Sequence, residues 1–165
     1  MITDDRAGFD AFVHARGAAL ARTAYLLTGD HHLTQDLVQA ALLQAAKHWG
    51  RIHTSPEAYV RRAMYHQNIS WWRRRRITET PLVSHDGAVE SADTDLRLTL
   101  DQALARLTSK QRTVLVLRFY EDLTEVETAR ALGISAGTVK STSRHALARL
   151  RALAPELAEL IGADA

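Results

Sequence analysis

Three features of the 165-residue sequence predict an all-α fold of two small helical domains joined by a flexible acidic linker. Apolar residues recur at helical spacing along most of the chain, and no stretch alternates with the period of a strand. One acidic stretch holding Pro81 and Gly87 interrupts that pattern near the middle. The expected division is a first domain over 1–76, the linker over 77–94, a second domain over 95–153 and a tail over 154–165. Domains commonly hold about 100–150 residues, so a chain of this length has room for two small ones.

The first helix carries Phe9, Phe12, Val13, Leu20, Ala24 and Leu27 at helical intervals and should stop at Gly29-Asp30. The second places Leu37, Val38, Ala41, Leu42, Ala45 and Trp49 on one stripe, leaves Gln35, Asp36 and Gln39 largely off it, and can end at Gly50. Residues 51–55 read as a short loop. Pro56 suits the first turn of a third helix, because its missing amide donor would be unpaired there in any case. That helix should run to about Arg75, with Tyr59, Arg62, His66, Ser70 and Arg73 along one side and Val60, Met64 and Trp71 along another.

Past the linker, a fourth helix is expected around Leu96, Leu100, Leu104 and Leu107, and a fifth through Val114, Leu115, Leu117 and Arg118. Thr124-Glu125-Val126-Glu127 fits a capping box that would start the sixth helix. A tight turn through Gly133 follows, and Ser135 offers an N-cap for a seventh helix reaching about Leu153.

Hydrophobic residues make up 46% of the chain and charged residues 24%, a balance that can build a core. The longest largely apolar runs, such as 40–46, fall well short of the roughly 20 residues needed to cross a bilayer, and no export signal precedes them. The absence of cysteine excludes disulfides and thiolate metal sites, so the expected location is the cytoplasm.

The net charge of +2 is small, but its distribution is uneven. Residues 51–76 carry seven arginines against Glu57, residues 77–95 carry five acids and no lysine or arginine, and residues 136–151 carry four lysines or arginines and no acid. Two basic stretches separated by an acidic one predict two electrostatic contacts on a tether.

Ala129, Gly133 and Val139 have the spacing of a helix-turn-helix: a small residue for close approach, a glycine for a left-handed turn and an apolar anchor. Lys140, Ser141, Thr142, Arg144 and His145 would then face a DNA major groove, with Arg149 and Arg151 nearer to phosphates. A helical hairpin with a solvated basic face is the plainer alternative. Trp71-Trp72-Arg73-Arg74-Arg75-Arg76 joins stacking surface to phosphate-binding charge, a combination suited to melted strands, although both tryptophans could equally be packing residues. The eight histidines are scattered, and His31-His32, being adjacent, cannot face each other on a helix. Neither a metal site nor any other cofactor is therefore expected, and no phosphate loop or nucleophile with its base points to catalysis.

Taken together, these motifs resemble the extracytoplasmic-function group of bacterial sigma factors over about residues 7–153. Leu26-Leu27-Thr28-Gly29-Asp30 and Asp36-Leu37-Val38-Gln39 are similar to that family's region two. The resemblance implies that Gln35, Asp36 and Gln39 contact the clamp helices of RNA polymerase. Pro56 through Arg76 looks like the helix that melts and reads the minus-ten element, with the 51–55 loop as a pocket for a flipped base. Arg51, His53, Tyr59, Arg62, His66, Trp71, Arg73 and Arg74 are the implied contacts. Tyr59 stands where many members carry tryptophan and His66 where the family usually has asparagine, whereas Arg62 matches the family arginine.

Leu104-Ala105-Arg106-Leu107, Phe119-Tyr120-Glu121-Asp122-Leu123-Thr124 and Gly137-Thr138-Val139-Lys140-Ser141 are similar to region four, which binds duplex minus-thirty-five DNA and the polymerase flap. The implied contacts are Lys140, Ser141, Thr142, Arg144, His145 and Arg149, although close relatives tend to place the arginine one residue later than Arg144. The partners implied are core RNA polymerase, promoter DNA in duplex and melted form, and an anti-sigma factor; no membrane is involved. The acidic linker is expected in a polymerase channel, where it would mimic nucleic-acid charge. Three rivals remain at this point: a dimeric repressor or activator, an interaction protein masked by a partner, and a metal-dependent nucleic-acid enzyme.

Overall fold

The computed structural model describes the backbone of residues 2–78 and 92–157, and the side chains of 4–74 and 99–157. Among these residues every regular element is helical. The chain divides into two compact units, Met1–Arg73 and Arg74–Ala165. The acidic stretch from 79 to 91 and residues 158–165 of the expected tail lie outside the described residues.

In the first unit, α1 spans Ile2–Thr28, α2 His31–His48 and α3 Pro56–Thr78, with a 3-10 turn at Trp49–Arg51. Gly29 separates α1 from α2 in the left-handed region, at φ 67°, and its amide donates to the Tyr25 carbonyl at 2.7 Å. Asp30 then caps α2, its carboxylate accepting from the Leu33 amide at 2.9 Å. The predicted apolar stripes become the core: Leu20, Ala24 and Leu27 of α1, Leu37, Ala41 and Ala45 of α2, and Val60 and Met64 of α3 are all fully buried. Phe9, Phe12 and Val13 are only half-buried. The two phenylalanines pack on Trp49, at ring separations of 5.2 and 5.4 Å.

Two helix ends differ from expectation. The α-helical part of α2 stops at His48 and tightens into the 3-10 turn, so Gly50 lies inside the turn instead of ending the helix. Helix α3 continues through Thr78, into the stretch expected to be linker.

The second unit contains α4 (Ala92–Ala105), α5 (Ser109–Leu115), α6 (Glu125–Leu132) and α7 (Ala136–Leu153). Thr108 and Gln111 form a capping box that starts α5, a second such box beside the one expected at Thr124. The fifth helix was expected to continue through Arg118. Instead it widens into one π turn over Val116–Tyr120, closed by the Glu121 amide donating to the Val116 carbonyl at 2.9 Å. That change keeps Val116 and Leu117 buried while Phe119 and Tyr120 turn outward, 55% and 50% exposed. The Arg118 guanidinium braces the exit by donating to the Leu123 carbonyl.

The core of this unit gathers Ala103, Leu107, Leu115, Ala146, Leu147 and Leu150. Ala154 and Leu157 join the same cluster through a 3-10 turn at Pro155–Leu157, so the packed unit extends past Leu153 into the expected tail.

Candidate nucleic-acid interface

The helix-turn-helix is built by local chemistry at each junction. Thr124 caps α6, with its hydroxyl accepting from the Glu127 amide at 3.1 Å while the Glu127 carboxylate accepts from the Thr124 amide at 2.8 Å. These hydrogen bonds, the one from the Thr124 amide foremost, hold the Glu127 carboxyl below its ordinary range. Gly133 ends α6 at φ 67°, where an L side chain is strained, and the Ile134 amide donates to the Ala129 carbonyl at 3.0 Å to close the turn. Ser135 starts α7 by accepting from the Thr138 amide at 3.1 Å.

One stripe of α7 is buried: Val139, Ser143, Ala146, Leu147 and Leu150. Burying that stripe turns the opposite face outward, because residues three and four apart share a side of a helix. Lys140, Ser141, Arg144, His145 and Arg149 are all exposed, as the sequence predicts. Thr142 sits on the flank and is half-buried. The Ser141 hydroxyl donates back to the Thr138 carbonyl at 3.2 Å, so its oxygen keeps only its capacity to accept.

In the first unit, Gln35, Asp36 and Gln39 form an exposed polar patch on α2. The same face carries Leu43, 59% exposed, one helical turn beyond Gln39. Sequence reading missed this residue, although its i+4 spacing from Gln39 puts it off the apolar stripe. A polar patch with a large apolar side chain at its edge is suited to docking another protein.

Helix α3 presents a second surface. Arg62, His66, Arg73 and Arg74 are exposed, Tyr59 and Ser70 are half-buried, and Arg51 and His53 are exposed on the preceding turn and loop. Tyr59, Arg62, His66 and Ser70 line one open cavity of about 340 Å³. Ala63 and Gln67 of α3 also line it, and Gln44 reaches it from α2. These three were not among the expected site residues. Gln67 lies one turn beyond Ala63 and could have been found from helical periodicity, whereas nothing local reveals that Gln44 belongs to the same site. Trp71 falls on the side of the buried Val60, Met64 and Asn68 and is half-buried, as is Trp72, so each ring offers only part of its surface.

Not every arginine of the basic stretch is available to a ligand. Arg61 donates to the Glu57 carboxylate at 2.6 Å and to the Thr23 hydroxyl at 2.9 Å. Arg16 of α1 reaches the same carboxylate oxygen at 2.6 Å. The hydrogen bond from Arg16 is the main reason the Glu57 carboxyl lies below its ordinary range; Arg61 adds to the effect and burial opposes it. The Arg16 guanidinium is raised in turn, chiefly by its hydrogen bond to Glu57. Arg61 thus ties α3 to α1, whereas Arg51, Arg62, Arg73 and Arg74 are solvent-exposed.

Residues 12–77 match the family model Sigma-70 region 2, and residues 103–152 match Sigma-70, region 4. The RNA polymerase sigma-E factor of Streptomyces coelicolor is 42% identical over 151 residues, covering 87% of this chain and 84% of that protein. The ECF RNA polymerase sigma factor SigL of Mycobacterium tuberculosis is 30% identical over 157 residues, covering 89% of each. Among solved structures, the sigma factor RpoE of Bartonella quintana, in complex with the anti-sigma factor NepR, shares the fold at a TM-score of 0.69 and 22% identity, covering 88% of this chain and 96% of that one. With a region two and a region four each matched, and close relatives covering most of its length, the chain belongs to the extracytoplasmic-function group of RNA polymerase sigma factors.

Proposed function

We propose that this sigma factor directs promoter-specific initiation through three surfaces used together. The exposed face of α2, with Gln35, Asp36, Gln39 and Leu43, docks on the polymerase clamp. The open face of α3 and the preceding loop, with Arg51, His53, Tyr59, Arg62, His66, Trp71, Arg73 and Arg74, holds the melted minus-ten strand. The outward face of α7, with Lys140, Ser141, Thr142, Arg144, His145 and Arg149, reads duplex minus-thirty-five DNA, while the flap meets the same unit.

The observation that carries this reading is the α7 face: three cations and a histidine exposed on the side opposite the fully buried Val139. Charge of this kind supplies affinity for phosphates, and the intervening hydroxyls and guanidinium supply base contacts. Each unit alone binds weakly, and selectivity comes from polymerase holding both to one promoter at a fixed spacing. The chain supplies no catalytic groups of its own; the chemistry of RNA synthesis stays with the polymerase, in the cytoplasm. An anti-sigma factor that covers these faces would silence it, as suggested by the complex in which the Bartonella quintana RpoE was solved.

Reconstituted core polymerase with the full-length chain, followed by transcription-start mapping on genomic DNA, tests the reading. Defined start sites preceded by shared minus-ten and minus-thirty-five sequences are expected. Failure to associate with core, or initiation no better than core alone, would overturn it.

A further inference from the structure

We infer that Glu57 is a specificity-determining residue: by holding Arg61 and Arg16 it limits the positive charge that α3 offers to any strand, and so weakens binding that ignores sequence. This inference rests on the minus-ten reading of α3 and deepens it, because it concerns how strongly that surface grips DNA of the wrong sequence.

Glu57 is the only acid in residues 51–76, a stretch that also holds seven arginines. Its Oε1 accepts from Arg61 Nε at 3.1 Å and Nη2 at 2.6 Å, and from Arg16 Nη2 at 2.6 Å. One carboxylate therefore meets two guanidiniums that arrive from different helices. Arg61 Nη1 also donates to the Thr23 hydroxyl at 2.9 Å, a neutral acceptor. Hydrogen bonds between ionised partners are roughly twice as strong as neutral ones, so the carboxylate does most to keep this guanidinium turned toward α1.

Fastening α3 to α1 does not by itself call for a charge at this point. Leu20, Ala24 and Leu27 of α1 and Val60 and Met64 of α3 are already fully buried in the core of the unit. The side chains of Arg16, Glu57 and Arg61 are 45%, 25% and 17% exposed, and ion pairs that solvent reaches add little to burial on that scale. The larger effect of the carboxylate is on the field around the helix. Glu57 stands five residues before the exposed Arg62, about 7.5 Å along the helix axis. That separation falls within the Debye length of about 8 Å at physiological salt. Glu57 and the arginines it holds therefore act on the same phosphates as Arg62.

Phosphate contacts strengthen binding without reading sequence. A promoter strand is seated by its base contacts, and its phosphates lie where those contacts put them. A strand of another sequence has no such register and can shift toward whatever charge is offered. Charge released on α3 therefore favours the wrong strand more than the right one, and the Glu57 carboxylate keeps the two apart.

The test uses holoenzyme made from the full-length chain and compares fork-junction DNA carrying the promoter minus-ten strand with the same DNA carrying a scrambled melted strand, over a range of salt. The parent should prefer the promoter strand. Glu57→Gln should tighten binding of the scrambled strand severalfold at low salt, steepen its dependence of log affinity on log salt by about 0.7 per arginine released, and narrow the preference. Glu57→Ala, which also removes the accepting oxygen, should do so more strongly, and adding Arg61→Ala to Glu57→Gln should reduce the gain. Asp10→Asn makes the same change in net charge at an exposed position of α1 and should leave the preference unaltered. Tighter binding cannot come from a chain that has lost its fold, so destabilisation does not mimic the expected result. Unchanged or weaker binding of the scrambled strand in both Glu57 variants, or an equal gain in Asp10→Asn, overturns this inference alone. A parent holoenzyme that does not distinguish the two strands overturns the minus-ten reading beneath it as well.

Discussion

Glu57 at the start of α3 and Arg16 in the middle of α1, 41 residues apart, meet at 2.6 Å, and Arg61 closes on the same carboxylate oxygen. The carboxylate is thus the joint between two helices, and it holds Arg61 toward α1, outside the cavity lined by Tyr59, Arg62 and His66.

The titration of Glu57 should therefore appear in stability. Its folded-state pKa is lowered, so its contribution is fully present above the unfolded-state value. That contribution is lost as pH falls through the depressed folded value, below the ordinary carboxylate range. Urea unfolding between neutral pH and about pH 3 should show a loss that Glu57→Gln removes, since the amide carries no charge to titrate. Solvent reaches a quarter of the side chain, so the expected cost of Glu57→Gln at neutral pH is about 1 kcal/mol or less. Equal pH slopes in the variant and the parent would contradict this.

The turn between α6 and α7 should tolerate volume but not backbone change. A Cβ at Gly133 would meet nothing within 4 Å, yet the residue sits at φ 67°. Gly133→Ala should therefore cost about 1 kcal/mol through strain alone. Thr124→Ala should cost a similar amount, about 1 kcal/mol, by removing the cap of α6. Both are measurable by chemical denaturation, and a neutral Gly133→Ala would mean that the turn relaxes out of the left-handed region.

Opposite sides of α7 should separate folding from recognition. Val139 is fully buried, and Val139→Ala should lower stability by about 2 kcal/mol. Arg144 is exposed, and Arg144→Ala should leave the melting temperature unchanged while weakening binding to minus-thirty-five duplex by roughly tenfold. Calorimetry and holoenzyme binding to duplex DNA distinguish the two. A stability loss in Arg144→Ala comparable to that in Val139→Ala would refute the assignment of faces.

On α2, the exposed Leu43 should matter only when polymerase is present. Leu43→Ala should leave thermal unfolding unaltered and weaken association with core polymerase on the order of tenfold, as expected for an apolar anchor at an interface. Competition against wild-type chain for limiting core provides the measurement, and undiminished competition would remove Leu43 from the interface.

Much of the molecule is legible in one dimension because its determinants act over a few residues. The buried stripes of α1 and α2, the left-handed Gly133, the Thr124–Glu127 box and the outward set on α7 all follow from periodicity or capping within about four positions. Those features needed no knowledge of the partner helix. The π turn that exposes Phe119 and Tyr120 was not legible, because its widened hydrogen bonding responds to how Val116 and Leu117 are buried. Nor was the commitment of Arg61 to Glu57 and Thr23, since the identical side chain of Arg62 beside it is exposed. The packing of Ala154 and Leu157, and the meeting of Gln44 with α3, likewise depend on residues far away in the chain. The sequence by itself determined the helices, their caps and the faces each would turn to water, through forces acting within a turn or two. Only the tertiary structure decided which charges are neutralised and which side chains share a cavity, because those outcomes depend on contacts between helices that no local rule encodes.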